Sequence, residues 1–158
     1  EVGHWQLAGQ RMLCRCGHVG CLETVASLWA IGPALLGDRF DETMDETQVA
    51  RLLQDKVLTR SRVFKRALHE MTEVLINLCR LYFPSEVVVS GPFIENSDVW
   101  AALIGAAGQR DLLVGLPMPP LVRQHIGHQL EKEGAAMPLL LRGLKELVAR
   151  SLQQGSAT

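Results

Sequence analysis

The sequence lacks any excess of charge: 16 lysines and arginines stand against 17 aspartates and glutamates, a net charge of −1. A phosphate-reading surface needs a concentrated basic face, so this balance argues against a nucleic-acid interface made by this segment alone. Arg60, Arg62, Lys65 and Arg66 form the nearest basic cluster and read as the solvated start of a helix. No apolar run approaches the length needed to span a membrane, and no signal-peptide pattern stands at the front. Repeats and low-complexity segments are absent. Cysteine is scarce, with four in 158 residues. A small oxidised scaffold carries an even set of cysteines in a shorter, secreted chain, whereas here three cluster and one stands apart. The chain opens on Glu1 rather than Met, and its first motif begins there. We therefore expect a piece of a longer protein, cut at or just before that motif. Free cysteines without a signal point to a reducing cytoplasm.

What is present is concentrated at the front. His4, Cys14, Cys16 and Cys21 read H-x9-C-x-C-x4-C, with Glu23 two residues beyond the last cysteine. Three thiols and an imidazole close a tetrahedral shell around one zinc ion and leave no open position for a reacting water. Thiolate and imidazole are zinc's usual ligands, so the pattern points to structural zinc. Gly17 and Gly20 sit where the chain must turn tightly to bring two sulfurs to one ion. The competing reading is a disulfide with a free thiol, although Cys14 and Cys16 are too close in sequence to pair easily. His18 is the rival fourth ligand. His4 is favoured because His18 lies between its cysteine neighbours in the turn and would crowd the shell. Cys79, in an apolar stretch, reads as an ordinary buried thiol.

Further along, Trp5 to Leu13 alternates, broken by Gly9, and predicts a hairpin or paired strand leading into the cysteines. Leu22 to Ala30 predicts a helix that stops near Gly32-Pro33 or restarts there to reach Leu36. Residues 37–46 are acidic and polar and predict a solvated loop, with Asp45 or Thr47 capping a short helix through Gln54. The clearest helix is predicted from Thr59 to Phe83, with apolar residues at three- and four-residue steps and Pro84 ending it. Val87-Val88-Val89-Ser90-Gly91 reads as a strand buried on both faces, and Asn96 or Ser97 caps a helix to about Arg110. This alternation is an α/β grammar, and loops at the carboxyl ends of such strands are where ligands bind. Ser90, Gly91 and Pro92 are candidate site residues on that ground, with a plain strand-to-helix turn as the competing reading. Leu112 to Pro120 reads as irregular and Leu121-Val122-Arg123 as an edge strand. His125 and His128 read as solvent-facing. A last helix is predicted over Glu131–Leu152, with Pro138 kinking it and residues 153–158 fraying.

Glu1-Val2-Gly3-His4, then Cys14-Arg15-Cys16-Gly17-His18-Val19-Gly20-Cys21-Leu22-Glu23, then Ala26-Ser27 together resemble the signature of the ROK family of repressors and sugar kinases. Val87-Val88-Val89-Ser90-Gly91-Pro92 resembles that family's second nucleotide-side strand and loop. The resemblance implies an α/β chain forming the C-terminal half of an actin-like ATPase (ribonuclease H-like) fold. Residues 1–158 would be one effector or sugar-binding domain with a zinc knuckle at 4–21. It implies zinc on His4, Cys14, Cys16 and Cys21, and a sugar held by Glu1, His4 and Glu23. One ring nitrogen of His4 would bind zinc while the other faces a sugar hydroxyl.

The family's catalytic aspartate, first phosphate loop and winged helix-turn-helix lie in its front half, and no residue here matches them. By itself this segment is expected neither to phosphorylate sugar nor to bind an operator. DNA would be reached only through a separate N-terminal domain. The family's kinases carry Gly-Gly where this chain has Gly91-Pro92, and proline removes an N–H that could approach phosphate. The leading expectation is therefore the sugar-sensing half of a regulator that self-associates. The alternatives are the same half of an ATP-dependent kinase for a hexose or N-acetylhexosamine, and a bare zinc-knuckle interaction module.

Overall fold

A computed structural model describes residues 1–124 and 128–155. It resolves into two compact units, Glu1–Gln124 and His125–Thr158. The first holds a 3-10 turn at Val2–His4, then helices α1 (Glu23–Ala26), α2 (Leu28–Leu36), α3 (Glu46–Leu53) and α4 (Arg62–Tyr82). Strand β1 (Val87–Ser90), α5 (Ser97–Gly108), β2 (Asp111–Leu113), β3 (Leu116–Pro117) and β4 (Leu121–Gln124) complete it. The second unit is described as one helix, α6 (His128–Gly155), with Pro138 inside it. The chain is α/β. Among the described residues no helix is long and apolar enough to cross a membrane.

Local chemistry sets the helix ends. Asp45 and Gln48 form a reciprocal capping box on α3, each side chain accepting from the other's backbone N–H at 2.8 Å. Ser61 caps α4, and Phe83 closes it in the left-handed conformation (φ 46°) just before Pro84. Helices α2 to α5 bury one core of Leu28, Ile31, Val49, Leu53, Phe64 and Val99. A smaller cluster joins Ile76 and Cys79 of α4 to Leu112 of β2, so Cys79 is the buried thiol its setting predicted.

Of the two readings of Trp5–Leu13, a hairpin of its own or a paired segment, the second holds: Gln6 bridges to Cys21 and Leu13 to Val19, because the glycine turns bring the later residues back against it. Three expectations change. The first helix breaks at Ser27 rather than Gly32-Pro33. Ser27 is extended (ψ 157°), its hydroxyl donates to Glu23 O at 2.6 Å, and its oxygen caps Ala30 N. Pro33 is carried inside α2. Strand β1 is covered on one face only. It pairs in parallel with β4 in a two-stranded sheet, with alternate residues open in both strands. Val87 packs on α4 and Arg123 lies over the Trp100 ring of α5, while Val88 and Val122 are exposed. Finally, Leu112–Pro120 contains the β2–β3 hairpin, turned at Gly115 (φ 79°). His125 and residues 156–158 lie outside the described residues.

Two residues tie α5 to the end of α3 and to the segment that follows it. Asn96, 3 % exposed, accepts from Asp98 N and Val99 N to cap α5. Its amide donates to Leu53 O at 2.6 Å and Lys56 O at 3.0 Å, so all its polar atoms are used. Asp98 accepts from Leu58 N at 2.6 Å, Thr59 N at 2.9 Å and the Thr59 hydroxyl at 3.1 Å. Desolvation raises the Asp98 carboxyl, but these bonds outweigh it and hold the group below its ordinary range. We expect Asn96→Ala to cost about 2–4 kcal/mol, from the lost cap and two orphaned carbonyls, read as a lower urea midpoint. Asn96→Asp, which keeps the cap but not the donors, should fall between. A depressed carboxyl stabilises the fold above its unfolded pKa of about 3.9 and ceases to as pH falls through the folded value. Wild-type stability should therefore drop below about pH 4 more steeply than that of Asp98→Asn, measured by denaturation at stepped pH.

Candidate functional site

Residues 4–7 run antiparallel to residues 20–22, and this places the front motif. Leu22 N donates to Trp5 O and Leu7 N to Gly20 O, both at 2.8 Å. His4, at the end of the 3-10 turn, is thereby carried beside Cys21 and Glu23. The second half of the loop is a tight turn in which Cys14 N donates to His18 O and Gly17 N to Cys14 O. Gly20 stands at φ 87°, and a Cβ there would lie 2.8 Å from Gln10 O, so only glycine fits. Thr24 steadies the base by donating to Cys21 O at 2.7 Å and accepting from the Gln10 amide.

The side chains of His4, Cys14, Cys16 and Cys21 converge. Their four donor atoms lie within 4.8 Å of one another. Cys16 Sγ and Cys21 Sγ are 3.7 Å apart, and Cys14 Sγ is 3.8 Å from His4 Nδ1. A disulfide requires about 2.05 Å, and all the cysteines are free, so the disulfide reading is set aside. Sulfurs on a tetrahedral zinc with bonds of about 2.3 Å lie about 3.8 Å apart, which the Cys16–Cys21 spacing matches. The donor set therefore fits zinc. His18 approaches Cys16 alone, its Nδ1 at 3.6 Å, and stands outside the converging four.

Within the cluster the thiols are not equivalent. The His18 backbone N–H, then its ring, bring Cys16 down to about 6. Burial pushes Cys21 up to about 12, and Cys16 and Cys14 beside it add to the effect. Cys16, exposed at the loop tip, is the thiol that most readily offers a thiolate, the form that binds metal.

Glu1 and Glu23 flank the imidazole. Glu1 Oε2 lies 3.1 Å from His4 Nε2, on the ring edge away from the cysteines. Glu23 Oε2 is 4.0 Å from His4 Nδ1 and 3.6 Å from Cys14 Sγ. His4 and Glu23 are each about one-third exposed, and Glu1 is 84 % exposed, so the group opens to solvent. Gly3 explains how Glu23 comes so near: a Cβ there would meet Glu23 Cγ at 2.8 Å. The three predicted sugar-facing residues are thus brought together with the metal-type cluster, through one shared ring.

Ser90, Gly91 and Pro92 lie elsewhere. They line a cleft of about 200 Å³ with Ser27 and Glu46, and none hydrogen-bonds Glu1, His4 or Glu23. One feature had no linear signal. Arg15, between two of the cysteines, stacks 4.7 Å over the Trp29 ring. Both border a cleft of about 280 Å³ with Phe40, Met44 and Glu46, residues drawn from separate stretches of the chain.

Comparison with known proteins identifies the family. Residues 1–140 match the ROK family. The chain is 31 % identical over 102 residues to the xylose repressor of Caldicellulosiruptor bescii, covering 56 % of this chain and 25 % of that protein. It superimposes on the crystal structure of a ROK hexokinase from Thermus thermophilus with a TM-score of 0.60 and 29 % identity, over 82 % of this chain and 44 % of that one. It therefore spans a quarter of the repressor and less than half of the hexokinase. With the front motif folded into one cluster and most of its length matched, the chain belongs to the ROK family.

Proposed function

We propose that these 158 residues form the sugar-sensing effector domain of a ROK-type bacterial transcriptional regulator, with a structural zinc ion held by His4, Cys14, Cys16 and Cys21. The observation that carries the reading is the position of one ring. His4 turns Nδ1 toward the thiols and Nε2 toward Glu1, with Glu23 alongside. Zinc supplies rigidity here: four protein donors fill its shell and fix the imidazole, leaving Nε2 as a donor of set direction. Two carboxylates and that N–H suit a polyol, since each carboxylate accepts from hydroxyls and the imidazole donates to one. A sugar epimer lacking a matched hydroxyl would strand a polar group at a cost of about 1–3 kcal/mol, enough for selection.

The likeness to a xylose repressor supports the regulatory form of this reading. So does Pro92, which removes an N–H from the loop after β1. In that form the protein works in the cytoplasm as a homo-oligomer. Sugar binding shifts the balance between states of different operator affinity, and a part outside these residues contacts DNA. The second reading is an ATP-dependent sugar kinase, favoured by the superposition on a ROK hexokinase. ATP-dependent phosphorylation of a hexose by the longer polypeptide would select it.

Two variants test the site. Cys16→Ser is expected to lose one zinc per chain by elemental analysis and to melt far lower, because a structural zinc contributes on the order of 10 kcal/mol. A zinc-free wild type, or a variant with unchanged melting, would refute the metal assignment. Glu23→Gln in the longer polypeptide should keep its zinc while binding xylose or a hexose about tenfold or more weakly by calorimetry. If it loses zinc instead, Glu23 supports the cysteine loop and has no part in reading sugar.

A further inference from the structure

The thiols of this chain differ in access. Cys16 stands exposed at the loop tip, while Cys14 and Cys21 are buried, as is the distant Cys79. A reagent arriving from water therefore meets the Cys16 sulfur first. That sulfur lies 3.7 Å from Cys21 Sγ and 3.6 Å from His18 Nδ1. Closing the Cys16–Cys21 pair to a disulfide of about 2.05 Å needs a movement of about 1.7 Å. Gly17, next to Cys16 and at φ 90°, stands in open space.

Cys14 is placed differently. Its sulfur sits against His4 Nδ1 at 3.8 Å and Glu23 Oε2 at 3.6 Å, on the inner side of the cluster. Only Arg15 separates it from Cys16, and the Arg15 guanidinium is held 4.7 Å over the Trp29 ring. A bond between Cys14 and Cys16 would close a cramped ring against that stacking. Cys16 and Cys21 are instead separated by four residues, of which Gly17 and Gly20 hold positive φ and turn the chain back on itself. Access and spacing thus select the same pair.

We propose that Cys16 is an oxidation site: a peroxide joins it to Cys21 in a disulfide, and the zinc held by the cluster is lost. The Cys16 thiolate attacks the peroxide. An S–O bond forms, the O–O bond breaks, and the departing oxygen takes a proton from solvent to leave as water or an alcohol. The Cys21 thiolate then attacks the Cys16 sulfur. An S–S bond forms, the S–O bond breaks, and hydroxide leaves and is protonated to water. Two thiolates thus give two electrons to the peroxide, and two protons come from solvent. Thiolate is the form that binds metal, so the disulfide withdraws two of the four donors. His4 then loses the partner that fixes its ring, and Nε2 loses its set direction. The inference deepens the zinc and sugar reading above and rests on it: the same loop responds to peroxide as well as to sugar.

The wild-type longer polypeptide, loaded with zinc, tests this, since Cys16→Ser forfeits the metal outright. It is treated with excess hydrogen peroxide, released zinc is read with a chromogenic chelator, and remaining thiols are alkylated before digestion. Trypsin cuts after Arg11, Arg15 and Arg39, so Cys14 falls on peptide 12–15 while Cys16 and Cys21 share peptide 16–39. We expect loss of one zinc per chain in step with loss of two hydrogens confined to peptide 16–39. A dithiol reductant with fresh zinc should reverse both. Sugar affinity by calorimetry should fall at least about tenfold on oxidation and return on reduction. A cross-link between peptides 12–15 and 16–39, sulfinic acid at Cys16 in place of the disulfide, or survival of the zinc and both thiols would each overturn the proposal. An oxidised form with unchanged sugar affinity would overturn its link to sensing. A reduced form that holds no zinc or binds no sugar would instead defeat the reading on which the proposal rests.

Discussion

The antiparallel run of residues 4–7 against 20–22 is the constraint on which the rest of the site depends. Its two short backbone bonds close the cysteine loop and bring one end of the E-x-G-H motif against the start of α1. Without them His4 and Glu23 would be distant in space as well as in sequence. Each glycine that the pairing needs has a steric reason: Gly20 because a carbonyl lies against it, Gly3 because Glu23 does. The site is therefore assembled by backbone geometry first, and its side chains then meet at spacings that suit a tetrahedral ion.

That assembly stands on a helical platform held together by polar bonds as much as by its core. Asn96 and Asp98 reach back to the segment following α3 and fix the N-terminus of α5 there. These groups are buried or partly buried, and every bond they make replaces one lost to water. Leaving one unmade costs more than making it gains, so the arrangement resists small displacements. The apolar core of α2 to α5 supplies the bulk of the cohesion, while these two side chains select how the helices meet.

The platform is complete on the helical side and open on the sheet side. A two-stranded parallel sheet with one bare edge is a small element, and α4 extends apolar surface past it. The loop that leaves β1 carries Gly91 and Pro92, which line the second cleft with Ser27 and Glu46.

Much of this was legible in the residues. The cysteine spacing, the caps at Asp45 and Asn96 and the apolar period of α4 are local patterns, and local patterns survive any tertiary context. The sequence alone therefore determined the donor set, the long helix, the α/β alternation and the family resemblance. Tertiary structure decided the rest, because pairing between distant segments leaves no periodic trace. The bridges of Gln6 to Cys21 and Leu13 to Val19 selected a paired segment over a local hairpin. Three β-branched residues predicted a strand buried on both faces, but burial depends on neighbours, and β1 has them on one face and one edge. The choice of His4 over His18 had been argued from crowding. In space a backbone pairing turns the His4 ring toward the thiols and leaves His18 beside Cys16 alone.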